Sequence, residues 1–263
     1  MTATATDEAL TTAQTVSDEV VDRYQRRGFV HIPKVLSTAE VQRFRAAVIA
    51  YRKRAQTLNN ADLPVFAQYV DVWQQDETLA ELTRNPRLAG IAERLQGSRL
   101  RIWHDQILIK DPHNGAATEF HQDRPYWPHA GGQALSAWVA LVDVPVDKGC
   151  MTFIPGSQRQ TALQRQDLND HRSLTSIWPE GEWQERITLP LRAGDCTFHN
   201  AYTAHTANPN DTDDPRLAQV VIYMDADTTY TGAVHPVTDK LGLTAGEPFP
   251  EDRFPSCAAL QAR

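Results

Sequence analysis

In the segment FHQDRPYW, His121 and Asp123 stand two residues apart, so on an extended strand both side chains leave the same face. An imidazole nitrogen beside a carboxylate oxygen supplies two ligands of the facial triad that suits non-haem iron(II) and leaves coordination positions open. The pair alone is equally what a hydrogen-bonded surface His and Asp would look like. A third ligand has to come from elsewhere, and GDCTFHNAYTAHTANPN offers His199 and His205, of which one suffices. Two His and one Asp also suit Zn²⁺. Beyond them, Arg216 opens the apolar run RLAQVVIYM. A guanidinium in a core strand requires an anion, because a buried unpaired charge is very costly. A dicarboxylate gripped by two parallel N–H···O bonds would supply one, and so would a salt bridge to Asp211, Asp213 or Asp214.

These residues need a frame. From Leu100 onward the chain reads as short β-rich runs broken by Pro, Gly, Asn and Asp: LRIWHDQILIK, LSAWVALVDVP, CMTFIPG, RITLPL, DCTFHN and RLAQVVIYM. Strands without intervening helices predict a sandwich or barrel rather than a parallel α/β sheet. The first hundred residues read differently. Residues 1–16 are Thr/Ala-rich and aperiodic, a mobile tail before a single domain spanning 17–263. Ser17 caps a short helix ending at Gly28, and FVHIP follows with strand character. Ser37 and Glu40 form a capping box ahead of Val41, Phe44, Val48 and Tyr51 at helical spacing. Leu79 and Leu82 predict a helical piece stopped near Pro86, and Leu88, Ile91, Ala92 and Leu95 another before Gly97.

FHQD, then AWVALVDVPVDKGCMTFIPGS, then AGDCTFHNAYTAH followed by Arg216 resembles the phytanoyl-CoA dioxygenase family in order and spacing. The resemblance runs from about Gly28 to Asp225 and is most specific between Gln106 and Arg216. It implies a mainly β protein with packed helices: a double-stranded β-helix (a cupin-like jelly roll) with a helical N-terminal region. It further implies an iron(II)- and 2-oxoglutarate-dependent dioxygenase that uses O2, releases succinate and CO2, and hydroxylates a small organic molecule. Carried over, His121, Asp123 and His205 are the iron ligands, and Arg216 anchors the distal carboxylate of 2-oxoglutarate. Trp138 matches a Trp lining the co-substrate pocket, and Gln106 falls where relatives place a residue near the co-substrate; Lys110 reads as an exposed strand-end residue. Thr206 and Ala207 depart from the Gly or Ser that relatives carry after the distal His, leaving the hydroxyl partner of the co-substrate unassigned. Relatives that halogenate replace the carboxylate by a small residue, so Asp123 favours hydroxylation.

For the substrate, Arg124, Tyr126, Trp127 and His129 follow the iron motif, with Tyr230 and His235 near the C-terminus; residues 160–184 are long and polar enough to form a lid. The rest of the chain narrows the partners. Of its 263 residues 41% are hydrophobic and 22% charged, which is ordinary globular composition. A net charge of −7 with scattered Lys and Arg argues against nucleic acid, and hence against a nucleic-acid demethylase of the same superfamily. No apolar run reaches membrane length, no leader is evident, and Cys150, Cys196 and Cys257 show no metal or redox spacing, all of which fits a cytoplasmic protein. A non-catalytic cupin-like metal-binding or sensing protein is the alternative; it has no use for an anion clamp such as Arg216.

Overall fold

The computed structural model describes residues 10–56, 66–168 and 170–261. The helical region begins with α1 (Asp18–Arg27), where Ser17 accepts a hydrogen bond from the Val20 N–H and Gly28 closes the helix at φ 83°. After β1 (Phe29–Ile32) comes α2 (Thr38–Gln56), held by the reciprocal bonds of the capping box: Ser37 N–H to Glu40 at 2.7 Å and Glu40 N–H to Ser37 Oγ at 3.2 Å. β2 (Ala67–Val70) precedes α3 (Glu77–Thr83) and α4 (Pro86–Gln96). Pro86 does more than stop a helix: it sits in the first turn of the next, behind the Asn85 cap.

The β-rich half supplies β3 (Leu100–Lys110), β4 (Thr118–His121), β5 (His129–Ala130), β6 (Ala134–Ala140), β7 (Met151–Phe153), β8 (Ile187–Leu189), β9 (Cys196–Asn200), β10 (His205–Ala207), β11 (Arg216–Asp225) and β12 (Thr229–Tyr230). Two short helices, α5 (Ser173–Ile177) and α6 (Cys257–Gln261), complete the chain. All strand pairings are antiparallel. The major sheet runs β1-β9-β6-β11-β3-β2, the minor sheet β4-β10-β7-β8, and β5 pairs with β12. This is a jelly roll with helices packed on the outer face of the larger sheet. Ile107 and Ile109 of β3 and Val221 and Tyr223 of β11 join Phe44, Leu79, Leu88 and Ile91 in the outer core. Residues of opposite parity, Trp138, Ala218, Val220 and Ile222, face the minor sheet's Met151 and Phe153.

One irregularity breaks that alternation in β3. His104 pairs with Ile222 and Ile102 with Tyr223, so Trp103 is the extra residue of a β-bulge. Ile102 joins the outer core, whereas Trp103 joins the inner one and His104 faces the space between the sheets.

Part of the expected N-terminal tail, residues 1–9, lies outside the described residues. The remainder is docked instead of loose: Thr11 donates to Pro33 O at 2.7 Å, and Val16 is buried. Aperiodic sequence hides this because the segment is held by single contacts, not by a stripe. The three cysteines are buried and unpaired. Among the described residues no helix is long and apolar enough to cross a membrane.

Beneath the major sheet, Asp105 is fully buried and accepts bonds from Thr83 Oγ1 (2.8 Å), Gln219 Nε2 (3.0 Å) and Trp73 N–H (3.2 Å). Burial outweighs these bonds and raises its pKa to about 7. An unfolded Asp titrates near 3.9, so the folded state binds more protons between roughly pH 4 and 7. The contribution is therefore full at low pH and lost as pH rises through 7. Denaturant unfolding should show the stability of Asp105→Asn improving relative to the parent between pH 5 and 8, by on the order of 2 kcal/mol. Parallel pH profiles would remove Asp105 from this role.

Candidate metal centre and its cavity

β4 and β10 pair so that His121 stands directly opposite His205, with ring centroids 4.3 Å apart. His121 Nδ1 donates to Glu119 O at 2.8 Å and His205 Nδ1 to Thr203 O at 2.9 Å. Both rings are thereby locked in the tautomer that leaves a bare lone pair on Nε2. Asp123 is not on the strand, where alternation would put it. It lies just past the end of β4, in helical conformation (φ −70°, ψ −39°), leading the turn Arg124–Tyr126. The turn brings Oδ1 to 3.6 Å from His121 Nε2 and 3.9 Å from His205 Nε2. One donor atom from each of the three residues lies within 4.8 Å of the others, an arrangement able to hold a metal ion.

The other carboxylate oxygen is committed. Ser136 Oγ donates to Asp123 Oδ2 at 3.0 Å, and His199 Nε2 lies 3.5 Å from the same atom. Sequence leaves His199 and His205 as alternatives, and register separates them: His199 sits on β9 of the major sheet, beneath the carboxylate. Burial, then the neighbouring His121, pushes His205 down to about 3, so its ring is neutral and free to donate its lone pair.

The triad opens on a cavity of about 320 Å³ between the two sheets. Arg216 and Trp138 line it, the guanidinium carbon 5.3 Å from the Trp138 ring centroid. Arg216 is 2% exposed; one nitrogen donates to Gly149 O at 3.2 Å, while Nε has no partner. Two of the acids that could have neutralised it are engaged elsewhere, Asp213 with His113 and Asp214 with Lys148, and among the described residues no carboxylate pairs with it. Burial lowers its pKa to about 10, which leaves it charged at neutral pH.

Gln106 lines the same cavity, its Oε1 accepting from Gln68 Nε2 at 2.6 Å. Lys110, expected at an exposed strand end, is instead completely buried, with Nζ donating to the carbonyls of Ala116, Ala207 and Asn208. Its three donors are thus consumed by backbone. Thr206 Oγ1 donates to Thr118 O, which accounts for that hydroxyl.

Of the candidate substrate residues, Tyr126, Trp127 and His235 line the cavity. Arg124, His129 and Tyr230 do not. Arg124 donates to Gly131 O, His129 packs edge-on against Trp103, and the Tyr230 hydroxyl donates to Ala233 O. Arg165 and Leu168, from the segment expected to form a lid, do reach the cavity. Nothing in the sequence singles out His104; its inward aim depends on the bulge at Trp103, which no local pattern announces.

The profile of the phytanoyl-CoA dioxygenase family matches residues 24–218, from α1 through Arg216 to the start of β11. The chain belongs to that family. Its structure superposes on that of SnoK, a non-heme α-ketoglutarate-dependent carbocyclase from nogalamycin biosynthesis, with a TM-score of 0.85 and 37% identity over 94% of this chain and 99% of SnoK. The epimerase SnoN, solved in complex with Fe³⁺, α-ketoglutarate and nogalamycin RO, matches at a TM-score of 0.77 and 38% identity over 91% of this chain and 98% of that one. L-proline trans-4-hydroxylase of Streptomyces griseoviridis is 31% identical over 142 residues, which are 52% of this chain and 53% of that relative, so the match spans about half of the hydroxylase. The family member described here is therefore similar to enzymes that carry out three different transformations.

Proposed function

We propose that this family member is an iron(II)- and 2-oxoglutarate-dependent oxygenase that oxidises a C–H bond of a small organic molecule, with hydroxylation as the outcome. The observation that carries the proposal is the pairing of two features in one cavity: a two-His, one-Asp donor set and a buried arginine with an unpartnered Nε. A metal store needs only the first. The donor chemistry fits iron(II), and the arginine fits a dicarboxylate whose second carboxylate lies away from the metal.

In this reading His121, Asp123 and His205 hold iron through Nε2, Oδ1 and Nε2. When bound, iron supplies the chelation of the keto acid and the activation of O2. The chain does the rest. Glu119 O and Thr203 O fix the two rings, and Ser136 and His199 hold Oδ2 so that Oδ1 is presented to the metal. Arg216 binds the distal carboxylate of 2-oxoglutarate against the Trp138 face, with Gln106 alongside. Trp127 and Tyr126 close off the side of the triad and exclude water from it.

Similarity to SnoK and SnoN over more than nine-tenths of the chain favours a second reading, in which oxidation ends in ring closure or epimerisation. Product mass separates the outcomes. Hydroxylation adds one oxygen, ring closure by loss of hydrogen removes two hydrogens, and epimerisation leaves the mass unchanged. The test is to incubate iron-loaded protein with 2-oxoglutarate, O2 and fractionated metabolites, and to follow succinate together with product mass. Succinate formation that rises with a product one oxygen heavier is expected. Turnover that persists without 2-oxoglutarate would overturn the proposal.

A further inference from the structure

The cavity has a second polar end that the iron and 2-oxoglutarate reading leaves unused. β6, β11 and β3 lie side by side, and their register sets Ser136, Ile222 and His104 in one cross-strand row, with Trp138, Val220 and Gln106 in the next. Arg216 opens β11 at its far end, and its guanidinium leans back to 5.3 Å from the Trp138 ring, in the row next to Ile222. Ser136 holds Asp123, so the triad sits over the Ile222 row. His104 lies two strand spacings from Ser136, about 10 Å, across β11 on β3.

His104 is 1% exposed and lines the cavity. Its Nδ1 donates to Asp105 O at 3.1 Å, so Nε2 carries no hydrogen and offers only a lone pair. That Nε2 is buried without a partner. Burial, then the nearby His235, drives the His104 pKa down to about 3, so the ring stays neutral. Facing it, His235 accepts from the Val237 N–H on Nδ1 at 3.2 Å, and its neutral ring therefore bears its hydrogen on Nε2. The two ring centroids are 5.5 Å apart. One ring accepts, the other donates, and a hydroxyl is the group that answers both.

The surroundings set the rest of the ligand. Trp127, Ile222, Val234 and Pro236 give this arm apolar and aromatic walls. Among the described residues lining the cavity Asp123 is the only acid, against Arg165 and Arg216. An ammonium group would meet no counter-charge here that the metal does not already claim.

We infer, resting on the reading of the metal centre above, that the part of the cavity lined by His104 and His235 binds a hydroxyl of an uncharged, ring-bearing substrate. The hydroxyl donates to His104 Nε2 and accepts from His235 Nε2. It fixes which carbon of the substrate faces the triad, which makes His104 a positioning residue.

The experiment is calorimetric binding, without O2, to protein loaded with iron(II) and 2-oxoglutarate. The probes are 2-naphthol, its methyl ether 2-methoxynaphthalene, which cannot donate, and 2-naphthylmethylammonium, which is cationic. The parent should prefer naphthol over the ether by roughly 10- to 100-fold, the effect of leaving a buried acceptor unpaired. His104→Phe, which keeps a ring in place, should bind the two alike. Equal affinities in the parent, a preference that survives in His104→Phe, tightest binding of the ammonium, or no binding of naphthol up to its solubility limit would each overturn the inference. The parent's comparison of the ligands stands even if the variant misfolds. The visible absorption of the iron–2-oxoglutarate complex, recorded on the same samples, reports separately on the metal centre.

Discussion

Arg216→Ala is expected to raise the 2-oxoglutarate concentration for half-maximal turnover by about 30-fold to several thousand-fold, while iron affinity measured without co-substrate stays near the parent value. The range is the cost of removing one partner of a buried charge pair, about 2–5 kcal/mol. It applies because Arg216 is buried, spends one nitrogen on Gly149 O, and has no acid partner among the described residues. Arg216→Lys should fare little better. A lysine ammonium is a point charge that cannot match a carboxylate with two parallel bonds. It would also be placed in register with the buried Lys110, whose three donors already belong to backbone carbonyls. Unchanged use of 2-oxoglutarate by Arg216→Ala would end the clamp assignment. Circular dichroism and iron binding on the same preparation distinguish a lost clamp from a lost fold.

The second large effect is at the donor set. His121→Ala, Asp123→Ala and His205→Ala should each lower iron(II) affinity by more than about 100-fold and remove coupled turnover. Disturbing groups that merely orient metal ligands costs about 10–100-fold, and loss of a ligand itself exceeds that. His199→Phe belongs to the milder class, because His199 approaches the Asp123 oxygen that points away from the metal position. The order of these four variants is the check. If His205→Ala retained normal iron binding and His199→Phe lost it, the two histidines would have exchanged roles.

Much of the fold is legible in the sequence because the relevant patterns are local. The runs from LRIWHDQILIK to RLAQVVIYM form β3, β6, β7, β8, β9 and β11, since apolar runs bounded by turn residues mark strands, most of them buried on both faces. β4, β10 and β12 (TEFH, HTA and TY) carry no apolar run to mark them; β4 and β10 hold the two histidines of the triad. The assembly of the triad follows from the family resemblance of FHQD and AGDCTFHNAYTAH, not from alternation, which places Asp123 on a strand it has already left. Lys110 illustrates a different limit. A lysine closing an 11-residue strand reads as an exposed end, and only the tertiary fold delivers three carbonyls to its ammonium. Likewise His129 and Tyr230 have the residue types of a binding site but spend them in the packing around Trp103 and Phe249. His104 shows the converse, a chemically active position set by a one-residue bulge and by the tautomer that one carbonyl imposes.

The central claim is that the triad and Arg216 together form one site for iron(II) and 2-oxoglutarate. Oxygen-free addition of 2-oxoglutarate to the iron(II)-loaded protein, followed by visible absorption, tests it most directly, because the charge-transfer band requires the keto acid to chelate a metal that keeps open positions. The expected band saturates at one 2-oxoglutarate per chain, needs far more co-substrate in Arg216→Ala, and is absent in Asp123→Ala. A protein that bound zinc in preference, gave no band with iron and 2-oxoglutarate, and turned over without oxygen would contradict it.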